Sequence, residues 1–515
     1  MGLSKNFFIS RRSENVGNDI ASYITFEQCL DILYSYINQK TLEQESAVEK
    51  MNFEQHRKFT ANCITDYVTN KHPLVQGYVD STGKAEYGRL TKALIDEVLD
   101  WSVLTDAMQD PNVSEIQGND YKSIYVERNG ETALLRSDIT DKVIGFESAE
   151  DMLKIANKLL RFSEVSLSRN GALQGGMTQD GFRVAVVDPS VAAPDKGEHQ
   201  LKDKSPMFVI RKYGATPPSM EKLINWHSVT LQQAEFMRLL AKTGLPIVIC
   251  GATGSGKTVL LQSILNNRPP TRRLAVVEDQ SELNARMRDA NGIDQSNTIQ
   301  FEARPTPPSG EAPLTYPTFN NVTMQLLRMT PRLIILGEMR TDEIVSQAIT
   351  AAYTGHGLYS TIHADSVEDC ITRMTKCVQA TSNGTPWDVN MQTVCAAIPF
   401  VISQQRLDDG SRKMLEFSEI EGTTMKDGKL APKINTLFKF VVDGQGIHPE
   451  DGKLHGEFYH MNKISHKMAE KLKLKALTKA ELDVLLSGPE KPGTAITCTF
   501  TPDEKQRIVE VKSDG

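Results

Sequence analysis

The segment Gly251-Ala252-Thr253-Gly254-Ser255-Gly256-Lys257-Thr258 concentrates residue types that hold a phosphate. It follows the apolar run Ile247-Val248-Ile249-Cys250 and precedes Val259-Leu260-Leu261. A strand, a glycine loop and a helix in that order make the GxxxxGK[ST] pattern a phosphate-binding loop. Glycines let backbone N–H groups converge on phosphate oxygens with no Cβ in the way. The following helix turns its positive dipole end to the same anion. Lys257 supplies a charge for the β- and γ-phosphates, and the Thr258 hydroxyl is a Mg²⁺ ligand.

Three further clusters end predicted strands of the same region, and in α/β sheets ligands gather at the carboxyl ends of strands. Val276-Val277-Glu278-Asp279 puts two carboxylates directly after an apolar run. One can polarise an attacking water or hold Mg²⁺ through water, although acidic residues are also common in solvated turns. Leu333-Ile334-Ile335-Leu336-Gly337-Glu338-Met339-Arg340 ends an apolar strand on an acid. Gly337 precedes it where an aspartate would coordinate the metal, so Glu338 must act alone, through metal-bound water or on the nucleophilic water. The ordinary reading of Arg340 is a surface ion pair with Asp342 or Glu343. Thr354-Gly355-His356-Gly357-Leu358-Tyr359-Ser360-Thr361-Ile362-His363 places a histidine at each end of a strand. Their spacing puts them on opposite faces if both belong to the strand, which argues against a shared metal. His363, at the carboxyl end, is the better placed to sense or position phosphate.

The elements that must position these groups follow from periodicity. From about residue 229, candidate strands at 245–250, 273–278, 332–337, 357–363 and 399–404 alternate with helices, which predicts a parallel sheet covered on both faces. Residues 89–213 read as a mixed α+β domain, with a hairpin turning at Asn129-Gly130 and a helix near 148–162. Residues 1–88 read as a mainly helical extension closed by a polar linker at 80–88, and 214–228 as a second linker. The proline-rich stretch 302–318 reads as a surface loop. The tail, 407–515, reads as a polar extension with one helix starting at Thr478-Lys479-Ala480-Glu481, a capping-box signature. The expected domains are therefore 1–88, 89–213, 229–406 and 407–515.

Composition narrows the class. The hydrophobic fraction is 39% and the charged fraction 24%, ordinary for a globular protein. A net charge of −7 gives no broad electrostatic case for nucleic acid or membrane, so direct nucleic-acid binding is not expected. Cysteines at 29, 63, 250, 370, 377, 395 and 498 contain no CxxC pair, which excludes a zinc ribbon of that spacing and suits a reducing compartment. No run approaches the roughly 18 apolar residues of a membrane span, so the chain reads as cytoplasmic, with any membrane role carried by partners.

Together the phosphate loop GATGSGKT, the acidic box VVEDQSEL, the segment LLRMTPRLIILGEMR, the box TGHGLYSTIHADS and the tract Ile402-Ser403-Gln404-Gln405-Arg406-Leu407 resemble the traffic ATPases of type II secretion, type IV secretion and type IV pili. The resemblance is strong over about 229–420 and weaker over 100–213. It implies a homohexamer whose protomers join an α+β, PAS-like N-terminal domain to a RecA-like motor domain, with ATP and Mg²⁺ between them. It implies inner-membrane platform or secretion-channel partners and a peripheral place at the inner membrane. By the same resemblance Lys257 and Thr258 bind phosphate and Mg²⁺, Glu278 activates water, and Glu338 is the second acidic signature. Asp279, His356 and His363 join the nucleotide site, and Arg183 and Arg211 reach the phosphates from the N-terminal domain. A nucleic-acid motor or a non-catalytic nucleotide-binding scaffold are the competing readings. The tetracysteine motif of many type II secretion ATPases and the Ala-Ile-Arg-Asn-Leu signature of retraction ATPases are missing, and the text leans modestly toward the type IV secretion branch.

Overall fold

The computed structural model describes residues 23–496 apart from 45–47, 49–52, 81, 83, 129–130, 138–140, 162–166, 168–170, 179–180, 194–200, 202, 213–218, 280, 288, 290–292, 305–315 and 383. The chain divides into two compact units. One comprises Met1–Asp110, Gly118–Ile124 and Arg136–Val209, the other Pro111–Gln117, Tyr125–Leu135 and Ile210–Gly515.

The first unit opens with helices α1 (Phe26–Glu43), α2 (Phe53–Lys71), α3 (Tyr87–Leu99) and α4 (Thr105–Gln109). Thr25 and Gln28 close a capping box at the start of α1. Leu30, Leu33 and Ile37 of α1, Ile64 and Val68 of α2, and Leu90 and Leu94 of α3 share one core. The stretch 80–88 is therefore not a linker between domains. Its Asp80 carboxylate accepts the N–H groups of Thr82 and Lys84, and α3, which begins at Tyr87, packs back onto the helices before it.

Strands β1 (Val113–Gly118), β2 (Ile124–Arg128) and β3 (Glu131–Leu134), helix α5 (Ala149–Leu160), then β4 (Leu173–Met177), β5 (Arg183–Val187) and β6 (Met207–Arg211) follow. β2 and β3 pair antiparallel with Arg128 opposite Glu131, as the hairpin reading expects. The Asn129-Gly130 turn itself lies outside the described residues, as does the 214–218 part of the second linker. β4 and β5 form another antiparallel pair, and Ser148 caps α5.

The second unit continues with α6 (Met220–Asn225), α7 (Leu231–Thr243), β7 (Ile247–Cys250), α8 (Lys257–Leu265), β8 (Leu274–Glu278), β9 (Thr298–Glu302), α9 (Phe319–Leu326), β10 (Leu333–Leu336), α10 (Asp342–Tyr353), β11 (Gly357–Ile362), α11 (Val367–Thr381), α12 (Trp387–Ala397) and β12 (Phe400–Arg406). Beyond them lie β13 (Arg412–Lys426), β14 (Lys429–His448), β15 (Lys453–His460), α13 (His466–Lys473), α14 (Lys479–Leu486) and β16 (Thr494–Ile496). The strands form one sheet in the order β16-β15-β14-β13-β12-β7-β11-β10-β8-β9. Pairing is parallel from β12 through β9 and antiparallel from β12 through β16.

Alternation along the parallel strands builds two cores. Ile247, Ile249, Val276, Ile335 and Ile402 face one side with α7 and α8, whereas Val248, Cys250, Val277, Leu336 and Val401 face the other with α10, α11 and α12. Burial on both faces explains the uninterrupted apolar runs. At about 1.5–3 kcal/mol for each fully buried large apolar side chain, this is what holds the strand ends in place.

The tail is not a separate extension. Phe417 and Phe438 of β13 and β14 each meet Phe236 of α7 edge-on at 5.4 Å. Met468, Leu472 and Leu485 of α13 and α14 join the same core. The helix expected from Thr478 is α14, with its capping box formed. Residues 305–315 of the proline-rich stretch lie outside the described residues, and its start overlaps β9.

Candidate functional site

β7 lies between β11 and β12, and the chain leaves it for β8, beyond β11 and β10. That is a switch point in strand order, and the crevice at the carboxyl end of such a strand is where open α/β sheets bind ligands. The phosphate loop occupies this place. Gly251, Gly254 and Gly256 all have positive φ, at 156°, 74° and 87°. A Cβ on Gly251 would meet the Gln404 carbonyl oxygen at 1.9 Å, so only glycine fits between the loop and β12. Gly256 caps α8 without any side-chain hydrogen bond, leaving the helix N-terminus uncapped toward the loop.

Three side chains brace the loop from outside. Gln405 Oε1 accepts the Ala252 N–H at 3.2 Å. Arg412 Nε donates to the Gly254 carbonyl at 2.8 Å. Glu127, on β2, accepts from Arg406 at 3.0 Å and from Arg412 at 3.4 Å, and Ser114 donates to it at 3.0 Å. Burial alone would raise the Glu127 pKa. The Ser114 hydroxyl and the two guanidiniums outweigh it and hold the carboxyl below its usual range.

Inside the loop Lys257 is buried, and its ammonium donates to the carbonyls of Gly251 and Ala252 at 3.0 and 2.8 Å. Burial lowers its pKa, partly offset by Glu338. His363 Nδ1 lies 3.5 Å from that ammonium, and its Nε2 lies 2.7 Å from Glu338 Oε1. An ammonium has only donors, so Nδ1 is the acceptor toward Lys257, whereas Glu338 Oε1, although close to Nε2, is buried with no aligned hydrogen-bond donor among the described residues. Burial, then the charge of Lys257, lowers the His363 pKa against the pull of Glu338, which favours the neutral imidazole. The other Glu338 oxygen accepts from Arg340 at 2.7 Å, and Arg340 also binds Asp279 at 3.1 Å. Arg340 thus ties together the two acidic clusters instead of pairing with Asp342 or Glu343.

Glu278 ends β8 almost fully buried. One oxygen accepts the N–H groups of Glu282 and Leu283 at 3.1 and 3.0 Å, and the other accepts from Gln300 at 3.2 Å. Burial pushes its pKa up to about 7. Gly337 has a physical reason to be glycine: a Cβ there would stand 3.0 Å from Glu278 Cγ. Thr361 donates to the Gly337 carbonyl at 2.7 Å, locking the turn that carries Glu338 onto β11.

Lys257, Glu338, His363, Asp279 and Arg340 therefore form one connected network, with Glu278 packed against the turn before Glu338. His356 does not join them. It precedes β11, bonding back to the Ala351 carbonyl at 3.2 Å, so a six-residue strand separates it from His363. That is about 20 Å at the usual rise per residue. Neither histidine lies within the strand, so alternation does not govern their faces. Arg211 ends β6 and pairs with Glu115 at 3.4 Å. Arg183 begins β5, opposite Met177, in the first unit. Sequence reasoning missed Glu127, Arg412, Gln405 and Thr361. Gln405 and Thr361 lay in motifs quoted above, where only their neighbours drew a role.

The residues fit a nucleotide's phosphates. The Ser255 hydroxyl, fully buried in the loop, has no partner among the described residues, and the uncapped helix and the Lys257 ammonium converge on the same place. Residues 200–429 match the family model described as "Type II/IV secretion system protein". This segment resembles that family, and the match covers less than half of the chain. The resemblance read from the motifs is borne out. An uncharacterized protein, MJ0900, of Methanocaldococcus jannaschii is 28% identical over 53% of this chain and 45% of its own length. The conjugal transfer protein TrbB of Rhizobium radiobacter is 24% identical over 65% of this chain and 91% of its own. The type IV secretion system protein PtlH of Bordetella pertussis is 32% identical over 28% of this chain and 40% of its own. The matched stretch thus spans less than half of the first and third of these relatives. Residues 200–429 contain Lys257, Asp279, Glu338, Arg340 and His363, the whole of the network described above. Among the described residues no helix is long and apolar enough to cross a membrane.

Proposed function

We propose that this chain is an ATP-hydrolysing motor of a secretion, conjugation or pilus-assembly machine. It works as a homohexamer in the cytoplasm against inner-membrane platform or channel proteins. The observation that carries the reading is the continuous path from the phosphate loop through Lys257 and His363 to Glu338.

Mg²⁺–ATP supplies the phosphoryl group and the neutralising cation. The loop N–H groups, the α8 N-terminus and Lys257 hold the phosphates. The Thr258 hydroxyl and the Glu338 carboxylate would hold the metal. Lys257 leaves the carbonyls of Gly251 and Ala252 to do so. His363 carries a neutral imidazole between the two, keeping Glu338 aimed at the site. Glu278 takes the proton of the attacking water at its carboxylate. A carboxyl whose pKa lies near 7 is well matched to that transfer near neutrality. Arg211, at the end of β6 in the α+β region before the motor domain, adds positive charge for the phosphates.

Phosphate release by the purified chain with Mg²⁺ and ATP, beside Lys257→Ala, tests the reading. Turnover that disappears in the variant supports it. A wild-type chain that binds ATP but releases no phosphate makes it a scaffold instead.

A further inference from the structure

The β14–β15 hairpin carries a cluster unrelated to the phosphate loop. Val442 pairs with Gly456 and Ile447 with Leu454, so residues 443–446 of one strand face only His455 of the other. Gly444 and Gly446, at φ 78° and 81°, let β14 bulge there. The bulge turns Asp443 back onto its own strand, where Oδ2 lies 2.7 Å from His448 Nε2. The His448 and His455 rings stack with centroids 3.9 Å apart. Asp443, His448 and His455 each present one ligand atom, and the three lie within 4.8 Å of one another. Asp451 and Glu450 stand behind the imidazoles, 2.9 Å from His455 Nε2 and 3.8 Å from His448 Nδ1.

We infer that Asp443, His448 and His455 form a site for a borderline transition-metal ion, with Zn²⁺ as the natural occupant, that staples the bulged hairpin. Two imidazoles and a carboxylate suit Zn²⁺, Co²⁺ or Ni²⁺, whereas Mg²⁺ and Ca²⁺ demand oxygen donors. Three protein ligands leave at least one position for water. Metal–nitrogen bonds of about 2.0–2.1 Å require the rings to tilt out of their stack toward the carboxylate. The His455 side chain, about half exposed, is free to tilt toward the more covered His448. Asp451 and Glu450 then serve as hydrogen-bond acceptors for the ring nitrogens that face away from the metal, the arrangement that orients ligating histidines. The strand pairs on both sides of the bulge preorganise the ligands.

The test uses the full chain, untagged and stripped with a chelator, without nucleotide. Co²⁺ is titrated while its visible absorption is followed, and Zn²⁺ is then added to displace it. The expected result is saturable binding of one Co²⁺ with a d–d spectrum of low coordination number, displaced by Zn²⁺ and not by Mg²⁺. The double variant His448→Ala/His455→Ala, with an unchanged circular-dichroism spectrum, should weaken binding by about 100-fold or more. No saturable binding by the wild type overturns the inference, as does equal binding by a folded double variant.

Discussion

His363 Nε2 stands 2.7 Å from Glu338 Oε1 while its Nδ1 faces the Lys257 ammonium at 3.5 Å. The imidazole therefore couples the phosphate-binding lysine to the acid at the end of β10. Substituting Glu338→Gln keeps the size of the side chain and removes the charge that faces His363 Nε2. ATP binding should persist while turnover falls by about 10²-fold or more, the scale at which positioned charge and proton transfer contribute. Normal turnover by Glu338→Gln, measured beside equilibrium nucleotide binding, contradicts the role assigned to it.

The buried Glu278 carboxyl gives a pH prediction. With its pKa raised to about 7 by burial, the base form appears only as pH rises through that value. The turnover number should climb from pH 6 to 8 with an apparent pKa near 7, and Glu278→Gln should remove both activity and limb. Stability moves the other way. A carboxyl raised above its unfolded value contributes stability that is full below the unfolded pKa and lost as pH rises through about 7. The wild-type melting temperature should therefore fall slightly more than that of Glu278→Gln between pH 5 and 8.

Gly337→Ala tests the packing that joins the two acids. The new Cβ would meet Glu278 Cγ at 3.0 Å, and both neighbours are held by hydrogen bonds. Overpacking of this kind costs about 1–3 kcal/mol. Thermal unfolding should report that loss, with turnover reduced and nucleotide affinity kept. A variant as stable and active as wild type would mean the turn relaxes freely.

Glu127 is the carboxylate that holds Arg406 and Arg412 at the outer wall of the loop. Removing one partner of a buried ion pair costs about 3–5 kcal/mol, and here both arginines are about a third exposed, which lowers the cost. Glu127→Gln should destabilise the chain by less than that figure and change nucleotide affinity, because Arg412 also donates to Gly254. A stability loss with nucleotide affinity untouched would reduce Glu127 to a structural brace.

What the sequence made legible follows from how each feature is encoded. The strands β7, β8, β10, β11 and β12 are apolar throughout because both faces are covered, and they stand out. β9 escaped notice because most of it is only half-buried. The long strands β13 and β14 escaped because their fully buried residues cluster near Phe417 and Phe438, with solvated stretches on either side. The loop, Glu278, Glu338 and His363 were legible because each sits at a strand end in a local motif. Arg340 was read with its sequence neighbours, whereas its partner Asp279 lies on another strand end. Glu127 and Arg406 are separated by most of the chain, and an arginine–carboxylate pair leaves no trace in spacing.

The measurement that bears most directly on the account is Mg²⁺-dependent phosphate release from ATP by the purified full chain, beside Lys257→Ala of equal folded content. The account predicts steady release by the wild type, with release and nucleotide binding both lost in the variant. Equal release by the two proteins, or none by a wild type that binds ATP, would contradict it.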